Sequence, residues 1–81
     1  MNDKKEVTHL EDWRENMAAI AQWCRENNVG FLLNKSQVAR FTGSDRATVR
    51  RRYRFSASGM ITQTQLAKQI AELTQYREAY R

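Results

Sequence analysis

The spacing of apolar residues predicts a mainly helical protein. In the first third of the chain they recur every three or four residues, which is typical of one face of an amphipathic helix. They are Leu10, Trp13, Met17, Ile20, Ala21 and Cys24. We predict that this helix begins at Thr8, whose hydroxyl would form a capping box with Glu11. It is expected to end near Asn27-Asn28, with Gly30 as the breaker.

The residues ahead of this helix have a different composition. Residues 1–7 are polar and charged and lack any apolar periodicity. We expect them to form a flexible tail. The remaining chain, residues 8–81, is short enough for a single domain.

The middle of the chain predicts two short helices joined by a turn. Asn34 and Gln37 have the spacing of a capping box, and Gly43 follows as the residue that would stop the first helix. Asp45 would cap the second helix, which carries Val49 towards the core. The apolar run just before, residues 31–33, is too brief for periodicity to decide, so it is a connector or a short strand.

The last third predicts one longer helix after a turn-rich segment. Residues 55–62 are small and turn-rich between apolar ends, so they form either a β-hairpin wing or a simple loop. Thr62 and Gln65 have capping-box spacing, and a helix is predicted over about residues 63–79. Its apolar stripe packs either on the domain's own core or, as the second option, against another copy in a homodimer. The stripe comprises Leu66, Ile70, Leu73 and Tyr80.

Taken together, these patterns predict a mainly α fold. The expected architecture is a compact domain of about four helices with a central helix-turn-helix and, depending on residues 55–62, a short β-hairpin wing. The chain has no proline, so none of the predicted helices is interrupted by one.

Charge adds a functional signal to this picture. Residues 35–54 contain seven basic residues and one acid, a net charge of +6, whereas the whole 81-residue chain carries +5. The positive charge is therefore concentrated in one segment. Such a patch favours a polyanion, because each cation that meets a phosphate releases condensed counterions.

Several classes of function lack their required residues. One cysteine, Cys24, and one histidine, His9, cannot form a disulfide or assemble a structural zinc site. No nucleophile, base and metal-ligand set is present, so we expect no enzyme, no metal and no cofactor. The absence of a long apolar stretch or a signal peptide predicts no membrane partner and a cytoplasmic location.

Residues 36–51 resemble the helix-turn-helix of small bacterial and phage DNA-binding regulators, including excisionase-like and resolvase-like domains. Ala39 is small where two helices approach, Gly43 permits the turn, and Val49 fills the gap between the helices. The run Asp45-Arg46-Ala47-Thr48-Val49 is similar to the start of many recognition helices. Ser44 and Arg52 stand where such motifs usually have apolar residues, and Tyr53 can close the core in place of Arg52.

The resemblance implies which residues meet DNA. Those expected to face DNA from the second helix are Arg46, Ala47, Arg50 and Arg51, with Arg46 and Arg50 suited to bases and Thr48 to a phosphate or a thymine methyl group. Phosphate contacts are expected from the start of the first helix and from beyond the second. These residues are Lys35, Ser36, Gln37, Arg52 and Arg54.

The expected function is therefore sequence-specific binding of double-stranded DNA. A transcriptional regulator of phage or mobile-element type is the first interpretation. A recombination accessory protein that bends DNA is the nearest alternative, and an adaptor that docks an acidic protein is another. An arginine-rich helix can also bind RNA.

Overall fold

Four helices and two short strands make up the described chain. The computed structural model describes the backbone of residues 2–79 and the side chains of residues 13–73. The mainly α class with a central helix-turn-helix is as predicted. The elements are α1 (Asn2–Glu26), β1 (Leu32–Asn34), α2 (Lys35–Thr42), α3 (Arg46–Arg52), β2 (Met60–Thr62) and α4 (Gln63–Ala79).

The first helix begins earlier than predicted and ends next to the predicted Asn27-Asn28. It begins at Asn2, ahead of the predicted start at Thr8. The predicted capping box of Thr8 and Glu11 and the predicted flexibility of residues 1–7 lie outside the described side chains. At the other end, Asn28 rather than Gly30 has the positive φ, at 58°. Asparagine tolerates this left-handed conformation, so it can end a helix in place of glycine.

Local hydrogen bonds set the ends of α2 and α3, as predicted. The Asn34 Oδ1 accepts from the Gln37 N–H at 2.8 Å, and the Gln37 Oε1 accepts from the Asn34 N–H at 2.8 Å. Gly43 closes α2 with a φ of 73° and donates its N–H to the Ala39 carbonyl at 2.9 Å. Asp45 caps α3 by accepting from the Thr48 N–H at 2.7 Å.

The two strands pair with each other although the helix-turn-helix lies between them in sequence. β1 and β2 are antiparallel, with Leu33 opposite Ile61. Residues 55–62 are therefore neither a self-contained hairpin wing nor a simple loop, because their strand finds its partner before α2. A turn closed by the Ser56 N–H to the Met60 carbonyl, 2.8 Å, leads into β2. This pairing ties the chain entering α2 to the chain leaving α3.

The helix α4 follows β2 directly and packs along α1. Its predicted capping box is confirmed, since the Gln65 N–H donates to Thr62 Oγ1 at 3.0 Å and the Thr62 N–H donates to Gln65 Oε1 at 3.1 Å. Leu66 is buried, and Ile70 and Leu73 pack against the same core. The described part of the apolar stripe thus packs on the domain's own core, whereas Tyr80 lies outside the described residues.

A single core joins all six elements. Its buried residues are Ile20, Cys24, Leu33, Val38, Val49, Tyr53, Ile61, Leu66 and Ala67. Burial raises the pKa of the Cys24 thiol, although a hydrogen bond with Gln63 partly opposes that shift. Cys24 is therefore a small buried side chain of the core. Over the described residues, no helix is long and apolar enough to cross a membrane.

Candidate nucleic-acid interface

The buried face of α3 determines which way its arginines point. Val49 is fully buried and Tyr53 is only 9% exposed, so these residues, one helical turn apart, form the inner face. Arg52 is exposed, and Tyr53 takes the core position in its place, as the sequence suggested. Burial also raises the pKa of the Tyr53 hydroxyl, against the opposing charge of Arg52.

The outer face of α3 follows from this inner face. Successive helical residues are about 100° apart, so Ala47 and Arg51 lie roughly opposite Val49. Arg46 and Arg50 flank this ridge on one side, and Thr48 and Arg52 flank it on the other. Arg46, Ala47, Arg50, Arg51 and Arg52 are all exposed, while Thr48 is half-buried.

The exposed arginines of α3 lack acidic partners. Among residues 13–73, the one ion pair joins Arg54 and Glu72 at 3.5 Å. Asp45 is the only acid of the basic segment, and its carboxylate is already engaged by the Thr48 N–H. Hydrogen bonds from Thr48, followed by the charge of Arg51, hold the pKa of Asp45 below its usual value. Asp45 therefore caps α3 and offsets part of the charge of Arg51, whereas Arg46, Arg50 and Arg52 form no ion pair with any described side chain.

The capping box takes up part of the start of α2. The Gln37 N–H and side-chain oxygen both serve the capping box with Asn34, so a phosphate contact of Gln37 would come from its side-chain NH2. Ser36 is exposed and Lys35 is half-buried. The Lys35 ammonium lies 5.7 Å from the centroid of the Phe55 ring, which places it beside the segment after α3. Phosphate contacts at this end would therefore rest on Lys35, Ser36 and the side-chain NH2 of Gln37.

Arg40 belongs to the basic segment by sequence but lies apart from the α3 arginines in its contacts. Its guanidinium donates to the Asn27 side chain at 3.4 Å and lies 5.6 Å from the Trp23 ring. Trp23 in turn packs edge-on against Phe41, with ring centroids 5.7 Å apart. Arg40 is exposed, but its contacts join α2 to α1 instead of extending the arginine cluster of α3.

The fold brings one cation to the interface that the sequence did not indicate. Lys68, on α4, lines an open groove of roughly 410 Å³ together with Arg54. Lys68 lies outside residues 35–54, so the local charge count omitted it. Its neighbours on the same face of α4, Gln65, Gln69 and Glu72, are polar. That polar face of α4 is the only feature of the sequence that could have indicated a role for Lys68.

Comparisons of this chain with protein-family models, curated proteins and solved structures find no match. In the part of the chain that the structure describes, no cluster of His, Cys, Asp and Glu side chains is suited to hold a metal ion. The functional conclusion therefore rests on the geometry and charge of the residues described above.

Proposed function

We propose that this protein binds double-stranded DNA sequence-specifically, with α3 in the major groove, as a transcriptional regulator of phage or mobile-element type. The observation that carries the proposal is the outer face of α3. Arg46, Arg50, Arg51 and Arg52 are exposed on a helix of seven residues. Clustered cations that outnumber their acidic neighbours repel one another, and a polyanion offsets that repulsion.

The dimensions of the helix agree with this proposal. An α-helix with its side chains is about 10–12 Å in diameter, which fits the major groove of about 12 Å width. An arginine can donate two hydrogen bonds to guanine, and the methyl group of Ala47 can contact that of thymine. Arg46 and Arg50, on one flank of the outer ridge, would contact bases along one direction of the groove.

The contacts around α3 support positioning by phosphates beside it. Lys35 and Ser36 lie at the start of α2, and Arg52 and Arg54 lie at and beyond the end of α3. Cations placed beside a recognition helix set its register on the duplex without specifying sequence. Binding to chromosomal or phage DNA would place the protein in the cytoplasm.

A salt titration against duplex DNA tests the proposal. If Lys35, Arg51, Arg52 and Arg54 each meet a phosphate, the logarithm of the binding constant should fall with the logarithm of salt concentration with a slope of about −3.6. Fluorescence anisotropy with a labelled duplex measures the slope. Absence of binding at low salt, or an affinity that does not change with salt, would refute DNA as the partner.

Selection of bound sequences from random duplexes tests specificity. A consensus sequence protected in a footprint is the expected result, and enrichment of no sequence would leave only non-specific binding. An inverted repeat with half-sites about one helical turn apart would indicate the predicted homodimer. Short tandem repeats with a bent duplex would instead indicate a recombination accessory protein.

A further inference from the structure

We propose that the groove between α4 and the segment after α3 is a phosphate-binding site, in which Lys68 joins Arg54 to hold a phosphate of the DNA backbone beside α3. This inference rests on the proposed function for the source of the phosphate, but not for the site itself. Arg54 lies two residues beyond the end of α3, so a duplex seated on α3 would extend towards this groove.

The groove brings together cations from distant parts of the chain. Arg54 lies just after α3 and Lys68 lies on α4. Both side chains nevertheless line the same groove, together with Phe55 and Ser56. Both cations are exposed. Two positive side chains match the chemistry of a phosphate, which has several strong acceptor oxygens. The Ser56 hydroxyl lies 2.9 Å from that of Ser58 and is already hydrogen-bonded.

The fold positions the backbone of Arg54 and the ammonium of Lys68 before any ligand arrives. Gln69 is buried, with 8% of its surface exposed, and its side-chain amide accepts from the Arg54 N–H at 2.9 Å. The same amide donates to the Arg54 carbonyl at 3.4 Å, so Arg54 is anchored to α4 through its backbone. The Lys68 ammonium lies 5.2 Å from the centroid of the Trp13 ring. Such prior ordering lowers the entropy cost of binding.

Glu72 pairs with Arg54, so a phosphate bound by Arg54 would compete with the Glu72 carboxylate. Its carboxylate pairs with the Arg54 guanidinium at 3.5 Å, but both side chains are largely exposed, 77% for Arg54 and 64% for Glu72. An exposed ion pair of this kind contributes little and is screened by salt. A phosphate held by both Arg54 and Lys68 would replace it, and the same exchange would move Glu72 away from the anion.

Phe55 connects the groove with the start of α2. Its ring lines the groove, and the Lys35 ammonium lies over that ring. Cations from α2, from the segment after α3 and from α4 are thereby gathered around one aromatic side chain. The proposed site is thus connected through Phe55 with the predicted phosphate contact at Lys35.

The first experiment tests the site without DNA. Amide NMR spectra of the whole chain are followed during titration with sodium phosphate at pH 7, with sodium chloride at equal ionic strength as the reference. Saturable shifts confined to residues 54–56 and 65–72 are expected. Lys68→Gln should abolish them, Lys68→Arg should restore them, and Glu72→Gln should bring saturation at lower phosphate concentration.

The matched control is Arg25→Gln, which removes the same charge from an exposed residue in the last turn of α1. It should leave the phosphate shifts unchanged. Shifts that are identical in chloride, or that persist in Lys68→Gln, would overturn the site. Unchanged circular dichroism and melting temperature in Lys68→Gln ensure that the loss is not one of folding.

The second experiment identifies the source of the phosphate. With duplex DNA, Lys68→Gln should reduce the magnitude of the salt slope by about 0.9, which narrows the affinity change between 50 and 200 mM salt by roughly 3.5-fold. Arg25→Gln should have no such effect. A slope equal in both variants would refute a DNA phosphate at the groove while leaving the proposed function standing.

The two proposals can fail separately. If the wild-type protein binds no duplex but shows the Lys68-dependent phosphate shifts, the proposed function falls and the groove remains a site for a free or nucleotide phosphate. If it binds duplex and shows no phosphate-specific shifts, the groove proposal falls alone.

Discussion

The α2–α3 unit and the α1–α4 pair are stabilised in different ways. The short helices α2 and α3 are bounded by hydrogen bonds between residues three or four apart, at Asn34, Gly43 and Asp45. The longer helices α1 and α4 pack along each other and supply much of the core, including Ile20 and Leu66. Both helices of the α2–α3 unit thus have their ends specified locally, whereas the long helices depend mainly on burial of apolar surface, with a capping box only at the start of α4.

The cations of the two regions also differ in the contacts that they make within the protein. On the α1–α4 side, Lys68 lies over the Trp13 ring and Glu72 pairs with Arg54. On α3, Arg46 and Arg50 are exposed, with no ion pair to any described side chain. Both regions contribute to the core, but only the α2–α3 unit presents a cluster of arginines that form no ion pair with any described side chain. We therefore expect core substitutions to lower stability and substitutions of these arginines to weaken binding.

The largest effect on stability is expected at the strand where the two regions meet. Leu33→Ala should lower the free energy of unfolding by about 2–5 kcal/mol, because Leu33 is fully buried and its removal leaves a cavity. Urea denaturation measures the loss. Leu32→Ala is the matched control, since its side chain is 50% exposed, and a change within about 0.5 kcal/mol is expected. Similar losses at both positions would show a strand register shifted by one residue.

The next effect concerns binding and not stability. Arg50→Ala should weaken binding to the preferred DNA sequence by about 1–3 kcal/mol while affecting other sequences less. Lys35→Ala should weaken all sequences alike and reduce the magnitude of the salt slope by about 1. Competition titrations with specific and random duplexes separate the two outcomes. Identical profiles for both variants would refute the assignment of bases to Arg50 and phosphate to Lys35.

A smaller loss is expected at the turn between α2 and α3. Gly43→Ala should cost about 1–2 kcal/mol, because Gly43 has a φ of 73° and a side chain there is strained even though nothing lies near the added Cβ. Thermal denaturation measures it. Gly30→Ala, where the added Cβ also meets nothing and φ is not positive, should be neutral or slightly stabilising. A neutral Gly43→Ala would contradict the left-handed turn.

The smallest effect is a pH dependence at the cap of α3. The hydrogen bond from the Thr48 N–H lowers the pKa of Asp45, so the ionised carboxylate stabilises the folded state above the ordinary Asp pKa. That contribution should be lost as pH falls through the lowered, folded-state pKa. Asp45→Asn replaces the carboxylate with an amide, whose oxygen can still cap the helix but carries no charge.

The melting temperatures of wild type and Asp45→Asn, compared across pH, measure this contribution. The advantage of the wild type should be constant above about pH 5 and shrink in more acidic solution. A difference that does not change with pH would mean that the charge of Asp45 contributes nothing, and that Asp45 acts as a neutral cap.

Much of the helix-turn-helix could be predicted because its determinants lie close together in sequence. The pairs Asn34 with Gln37 and Thr62 with Gln65 form the predicted capping boxes, and Asp45 caps α3. The burial of Val49 was also predicted from its place after Gly43. Each of these depends on contacts within a few residues, where a short sequence pattern already specifies the geometry.

The missed features depend on residues far apart or on helix ends without a clear signal. The start of α1 at Asn2 lies in a polar segment without apolar periodicity. Its end lies next to the predicted Asn27-Asn28, but the residue with positive φ is Asn28 and not the predicted breaker Gly30. The pairing of β1 with β2 spans the whole helix-turn-helix, so no local pattern in residues 55–62 could reveal it.

The sequence by itself determined where the short helices begin and end and that positive charge concentrates in residues 35–54, because caps, turns and charge are local properties. Only the tertiary structure decided which way that charge faces. Burial of Val49 and Tyr53 determines which residues of α3 face outward. The Arg40 guanidinium lies over the Trp23 ring of α1, and Lys68 of α4 lines the same groove as Arg54. These outcomes arise from the packing of separate elements into one core, which fixes the rotation and neighbours of each helix.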